Sequence, residues 1–455
     1  MNRLIVVSNR VPDITKGPPA GGLAVALKAA LDKHGGIWMG WSGKSSGSKE
    51  PGPLRFEEQG PITFALSDLS RRDLSEYYEG FANSVLWPLC HYRLDLTDFA
   101  RKDMAGYFRV NRFFAARLLP LLEPDDLIWI HDYHLIPMAA ELRQLGVTNR
   151  IGFFMHIPWP PPDVFFTLPV HEAIIGGLTA YDVVGFQTDH DVENFRLGLQ
   201  REGIGGDAGG GWMEAYGRRF RAEAFPIGIA TRDFADLAAR SVHTAPVRRF
   251  AGSLEGRDLI IGVDRLDYSK GLTHRIDGYE RFLTANPAWR GRTTLLQVTP
   301  RSRSEVPGYP AMQREVAERA GRVNGALGGL DWVPIRYINR AVGQDVLAGL
   351  YRLARVGLVT PLRDGMNLVA KEFVAAQSPE DPGVLVLSRF AGAARELDGA
   401  ILVNPYDIEA VGNAIAQALS MPLEDRRKRY ERMMKRLLEN DIFRWCSDFM
   451  RLLRG

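Results

Sequence analysis

Cysteine is scarce in this chain: Cys90 and Cys446 are the only 2 in 455 residues. Their separation matches neither CxxC nor any metal-ligand spacing, and so few thiols point to a reducing compartment. No apolar run approaches the roughly 20 residues that cross a bilayer, and the opening MNRLIVVSNRVP is too briefly apolar for a secretion signal. A cytoplasmic enzyme is therefore the expectation. An excess of one charge is also missing. Lys plus Arg total 57 against 54 for Asp plus Glu, a net +3, which gives no footing for nucleic acid or a membrane surface. There is no GxxxxGK[ST] loop, which disfavours a P-loop kinase. Internal repeats and low-complexity tracts are absent too. With 45% hydrophobic residues the chain can build two cores, since single cores stop growing well before this length.

What is present is an alternation of apolar runs with helix-like segments. The clearest runs are 4–7, 127–130, 151–154, 182–186, 259–263, 294–298, 334–338, 356–360 and 384–387. They are continuously apolar, as strands covered on both faces are, so the pattern predicts parallel sheets with βαβ crossovers. The glycine-rich stretch 202–221 interrupts it and reads as a loop or long excursion. After FPIGI, ending at Ile229, a second βα series begins. The expectation is an α/β chain of two Rossmann-like doubly wound domains, 1–230 and 231–439, facing a central cleft. The segment 423–453 reads as helical, with the part from about 440 to 455 crossing back onto the first domain. Ligands of open α/β sheets bind beyond the carboxyl ends of strands, so two such edges suit transfer between two bound molecules.

The segment TPLRDGMNLVAKE, Thr360 to Glu372, carries the sharpest local signal. A buried strand leads into a turn at Asp364-Gly365, then into a helix over 367–377. The first amides of such a helix, those of Asn367, Leu368 and Val369, form a ready anion site, and Asp364 and Glu372 can accept from hydroxyls. In GVDRLDYSKGL, Arg265 and Lys270 lie five residues apart in a loop after a strand, which suits a diphosphate. Arg301 and Arg303 follow another strand and could meet a second phosphate. Near the N-terminus Arg10 ends a strand, and Gly21-Gly22 precedes a helix where backbone can approach a phosphate. A plain turn explains that glycine pair equally well. Tyr77, Tyr78 and Trp87 sit in an aromatic-rich run that could stack on a sugar or simply pack; spacing does not choose between the two tyrosines. His131, Asp132 and His134 invite a metal, but a strand end does not gather them on one face, so Asp132 reads better as a hydroxyl acceptor. His156 stands on a Pro-rich turn at another strand end, either as a sugar contact or as a structural histidine.

Taken in order, SNRVP, GGLAVAL, WMGWSG, EYYEGFANSVLWP, IWIHDYHL, GFFMHIPWP, VGFQT, DRLDYSKGL and VGLVTPLRDGMNLVAKEFVAAQ resemble the trehalose-6-phosphate synthase family, from Leu4 to about Asp407. That resemblance implies the GT-B fold and a retaining glucosyl transfer from UDP-glucose to glucose 6-phosphate, with no cofactor and no metal. It implies that Arg10, Trp41, Tyr78, Trp87, Asp132 and Arg303 hold the acceptor. Arg265 and Lys270 would grip the donor diphosphate and Gly22 the donor phosphate. Asp364 and His156 would meet the donor glucose, Asn367, Leu368 and Val369 would offer amides, and Glu372 would take the ribose hydroxyls. A homo-oligomer is compatible with it. The Trp159-Pro-Pro-Pro162 turn and the glycines of 205–211 depart from the family pattern. Two other readings share the motifs: a synthase with another acceptor, such as glycerol 3-phosphate or a cyclitol, and a silent sensor of sugar phosphates. No phosphatase domain is expected in this sequence.

Overall fold

The computed structural model describes residues 3–11, 22–302 and 308–455. It divides into two compact units: one runs to Ile227 and takes in Phe443–Gly455, and the other is Gly228–Ile442. No helix among the described residues is long and apolar enough to cross a membrane.

The first unit holds β1 (Leu4–Arg10), β2 (Gly36–Ser45), β3 (Arg55–Gln59), β4 (Ile62–Leu69), β5 (Leu127–His131), β6 (Arg150–Phe154), β7 (Val183–Phe186), β8 (Gly205–Gly209), β9 (Trp212–Ala215) and β10 (Arg218–Ala224). They form a 10-stranded sheet in the order β3-β4-β2-β1-β5-β6-β7-β10-β9-β8. Its middle is parallel, with β1 between β2 and β5. Both edges turn antiparallel, at β3 against β4 and at β9 against β8 and β10. The central strands carry continuous apolar runs because helices cover both faces; all five residues of β5 are buried. The stretch 202–221 is therefore no loop. It is a meander of short strands, which its glycines had hidden: Gly209, Gly210, Gly211 and Gly217 take positive φ at the bends between strands.

The second unit holds β11 (Asp258–Val263), β12 (Thr293–Val298), β13 (Ile335–Ile338), β14 (Val356–Val359), β15 (Val384–Ser388) and β16 (Ile401–Val403). This 6-stranded sheet, ordered β13-β12-β11-β14-β15-β16, is parallel throughout. The helices Leu272–Ala285 and Ile408–Leu419 pack on it, with Ile276, Phe282, Val411 and Ile415 wholly buried.

The helical segment 423–453 is two helices, Leu423–Glu439 and Ile442–Arg454, broken at Asn440. The second belongs to the first unit. Its Phe449 stacks on Trp129 at 4.4 Å, and Trp445 meets Phe154 edge-on at 4.9 Å. Gly152 makes room for this: a Cβ there would lie 2.7 Å from the Phe449 ring. A fully buried Phe contributes roughly 2–3 kcal/mol by burial alone, so this helix is firmly seated.

Candidate functional site

In the second unit the candidate residues gather at the carboxyl ends of β11 and β14. The Lys270 ammonium is ion-paired with Asp364, and both side chains are largely shielded from water. Asn367 donates from Nδ2 to the same carboxylate oxygen at 3.0 Å. It also caps the helix Leu368–Ala376, its Oδ1 accepting from the amide of Ala370 at 3.1 Å. Asn367 manages this in the left-handed region, φ 77°, which asparagine tolerates better than most residues. With Ala370 taken, the amides of Leu368 and Val369 stand at the helix start without an intrahelical acceptor, where the dipole favours an anion.

The loop bearing Lys270 is held from beneath by a buried arginine. Arg275 donates to Asp264 at 2.6 Å, to Gln297 at 3.1 Å and to Thr360 at 3.1 Å, tying the ends of β11, β12 and β14 together. Gly271, next to Lys270, sits at φ 62°, and a Cβ on it would come within 2.4 Å of the Thr360 carbonyl. Only glycine allows that approach. Arg265 is more open; its guanidinium stands 3.9 Å from the buried Asp267 carboxylate. Glu372, one turn into the helix, has no hydrogen-bond or ion-pair partner among the described residues. Burial pushes its carboxyl up to about 7. Its neighbour Lys371 is fully buried against Glu396 at 2.6 Å, which anchors the helix to the turn Gly392–Arg395.

In the first unit rings do the positioning. The Arg10 guanidinium lies 5.8 Å from the Trp41 ring, Trp41 is 5.6 Å from Tyr78, and Tyr78 stacks on His134 at 5.8 Å. From His134 the chain of rings continues to Tyr133 at 3.9 Å and on to Trp87 at 5.7 Å. Tyr77 is wholly buried and donates to Asn9 at 2.8 Å, whereas Tyr78 is partly open. Both tyrosines ride on a π-helix, Leu74–Leu86. Its wider winding is tied by Asn83 donating to the Tyr78 carbonyl at 2.8 Å and Ser84 to that of Glu79 at 2.7 Å. Such windings frequently mark functional sites.

Asp132, just past β5, adopts φ 75°, ψ 162°, a region almost confined to glycine. The turn is fixed by its own amide donating to Phe154 at 2.8 Å, and its carboxylate accepts the His156 amide at 3.2 Å. The rings of His131 and His156 meet at 3.2 Å between Nδ1 and Nε2. Burial pulls His156 down to about 3 and His131 well below its usual value, so both are neutral near pH 7 and one donates to the other. His131, Asp132 and His134 do not converge as one ligand set among the described residues. Their side chains are committed to His156, to the His156 amide and to the ring chain.

Gly22 is the first residue of the helix Gly22–His34. Arg303 lies outside the described residues. Asn9, Arg275 and Lys371 support the site and were not foreseen from the sequence; His134 was noticed there only as a possible metal ligand, whereas it serves in the ring chain. A buried cation at the helix position of Arg275 is the one signal that could have been noticed, since an arginine so placed must find partners.

The model of glycosyltransferase family 20 matches residues 6–454. The chain belongs to glycosyltransferase family 20. Within the family it is 68% identical to the trehalose-6-phosphate synthase of Sinorhizobium fredii, over 99% of this chain and 98% of that protein. Two solved structures are similar over 100% of this chain. One is an alpha,alpha-trehalose-phosphate synthase (UDP-forming) from Burkholderia xenovorans in complex with glucose-6-phosphate, with TM-score 0.96, 49% identity and 100% of that chain covered. The other comes from E. coli and is bound with UDP-2-fluoro glucose, with TM-score 0.96, 46% identity and 99% covered. The two parallel-sheet α/β units are those of the GT-B fold that this family has.

Proposed function

We propose that this chain is the UDP-forming enzyme that moves glucose from UDP-glucose onto the anomeric hydroxyl of glucose 6-phosphate. The products are α,α-trehalose 6-phosphate and UDP. The observation that carries this reading is likeness over the whole chain to a relative solved with glucose-6-phosphate and to another solved with UDP-2-fluoro glucose. The local chemistry agrees with it. Donor roles fall to the second unit: Lys270 and Arg265 face the diphosphate, the amides of Asn367, Leu368 and Val369 add positive dipole, Asp364 takes sugar hydroxyls, and Glu372 takes the ribose. Gly22 and His156 are assigned donor roles as well. Acceptor roles fall to Arg10, Trp41, Tyr78, Trp87, Asp132 and Arg303.

Retention calls either for a carboxylate nucleophile or for attack on the face the leaving group departs from. Retaining glycosidases place two carboxyl groups about 5 Å apart for the first route. Asp364 is instead engaged by Lys270 and Asn367, which hold it as a hydroxyl acceptor and blunt it as a nucleophile. Front-face transfer follows: the glycosidic C–O bond to the β-phosphate breaks, the acceptor oxygen adds to the same face, and its proton passes to the departing phosphate. Lys270 and Arg265 stabilise the charge building on that phosphate, a preorganised arrangement that needs no reorientation during reaction. We assign this charge to side chains alone, with no metal or other cofactor, in the cytoplasm, where Cys90 and Cys446 would stay unpaired. A panel of acceptors scored by UDP release tests the assignment. Glucose 6-phosphate should exceed glycerol 3-phosphate and free glucose by at least tenfold in kcat/KM, and equal use of glycerol 3-phosphate would refute it.

A further inference from the structure

We infer that the first unit carries a second small-molecule site, for a soluble amphipathic anion, in the hollow between the helices Gly22–His34 and Ile442–Arg454. The hollow measures about 650 Å³, within the roughly 300–1,000 Å³ of ordinary ligand pockets. Its floor is apolar, built from Ala29, Phe443, Cys446 and Met450, and Phe443 is left 44% exposed there. Its rim is basic: Lys33, His34, Arg451 and Arg454. No carboxylate side chain lines it.

Two of the rim's cations, among the described residues, have no acidic side chain to pair with. Lys33 and Arg454 have no acidic partner among the described residues, and the Arg454 guanidinium meets only the His34 ring, 3.2 Å from Nε2. Arg451 does have one, Asp448 at 3.0 Å. Burial, then Arg454, then Lys33 hold His34 below its usual range, as a ring in a positive field should be. Arg150 donates to the Leu453 carbonyl at 2.5 Å, at the end of the helix that closes on Gly455. Cations at helix ends offset the dipole, and two helix C-termini bring about half a negative charge each. Three cations less Asp448, those two ends and the α-carboxylate of Gly455 leave the rim near neutral in sum, so its hold on an anion rests on Lys33 and Arg454, the cations with no acidic side-chain partner among the described residues. Dipole compensation therefore accounts for part of the basic rim, and it gives no reason for an apolar hollow beneath it. An acidic head on a short apolar body satisfies both. The other face of the helix Ile442–Arg454 carries Trp445, whose ring lies 6.3 Å from that of His156, so the site sits one helix away from a proposed donor contact.

The test is isothermal titration of the full chain with octyl phosphate below its micellar range. UDP and glucose 6-phosphate are kept saturating so that the transfer site is filled. One saturable event is expected, at least tenfold weaker in the double variant Lys33→Glu/Arg454→Glu and in Ala29→Trp, which fills the floor. Octyl glucoside and inorganic phosphate should each bind at least tenfold more weakly than octyl phosphate. No saturable heat, or equal affinity in the double variant and in the unaltered chain, overturns the site. Equal binding of octyl glucoside does so as well. Both variants should keep the glucosyl-transfer rate, since neither alters a residue given a role in transfer, and that rate doubles as the check on folding.

Discussion

In the Gly228–Ile442 unit the candidate residues are held by charge and backbone geometry, whereas in the unit that runs to Ile227 they are held by rings. Lys270, Asp364 and Asn367 form a bonded cluster over a fully buried arginine. Arg10, Trp41, Tyr78, His134, Tyr133 and Trp87 form a chain of ring contacts with two neutral histidines beside it. Each material suits its assigned partner. A diphosphate gains charge as its bond to sugar breaks, and preorganised cations act on that change. A hexose presents C–H faces and hydroxyls whose charge barely changes, and aromatic surface with a few fixed acceptors reads those. Changes to the charged cluster of the second unit should therefore fall on turnover, and changes to the ring chain of the first on acceptor affinity.

The largest effect should come from beneath the charged cluster. Arg275→Ala leaves Asp264 buried without its partner, and breaking such a pair costs about 3–5 kcal/mol. Chemical denaturation should show the whole loss as a shift in midpoint, and a loss under about 1 kcal/mol would mean the pair is not holding the loop.

The comparison itself is tested next. Lys270→Ala should lower kcat roughly 100-fold, in line with removal of other preorganised charge stabilisers. Tyr78→Ala should leave kcat within about threefold and raise KM for glucose 6-phosphate about tenfold, the size expected of a lost stacking contact. Were both variants to lose kcat equally, the division of labour between charge and rings would be wrong.

How much of this was legible beforehand depended on which force shapes each segment. β1, β5, β11 and β14 are continuous apolar runs, and burial on both faces dictates such runs, so they could be read directly. β2 (GIWMGWSGKS) mixes glycines with tryptophans, and β8 to β10 are built around glycine bends; in both, tertiary pairing overrides a weak local preference. The turn at Asp364 and the helix after it were readable because capping chemistry is local, and Asn367 does cap that helix. The difference between Tyr77 and Tyr78 was not. It is set by a π-helical winding and by contacts with Asn9 and Trp41, which lie far off in the chain. The same holds for Arg275, whose partners come from three strand ends.

A smaller effect separates Glu372 from its neighbours. Its carboxyl is raised from 4.5 to about 7 in the folded chain, so the unfolded chain gives up the proton first and stability falls as pH rises from about 4.5 to about 7. Above pH 7 the penalty is complete. Glu372→Gln should then raise stability by up to about 3 kcal/mol at pH 8 and leave it unchanged at pH 4. Thermal melts at the two pH values read this directly, and a gain of the same size at both would place the cause elsewhere. The smallest expected difference is at Asp132, whose φ of 75° penalises any side chain. Asp132→Gly should be about 1 kcal/mol more stable than Asp132→Ala, while both weaken acceptor binding.

The central claim, retained glucosyl transfer between an activated sugar and a phosphorylated one, is met most directly by proton NMR of the reaction itself. UDP-glucose and glucose 6-phosphate incubated with this chain should yield α,α-linked trehalose 6-phosphate and UDP in equal amount. A β-linked product, or UDP accompanied by free glucose with no disaccharide phosphate, would contradict the account.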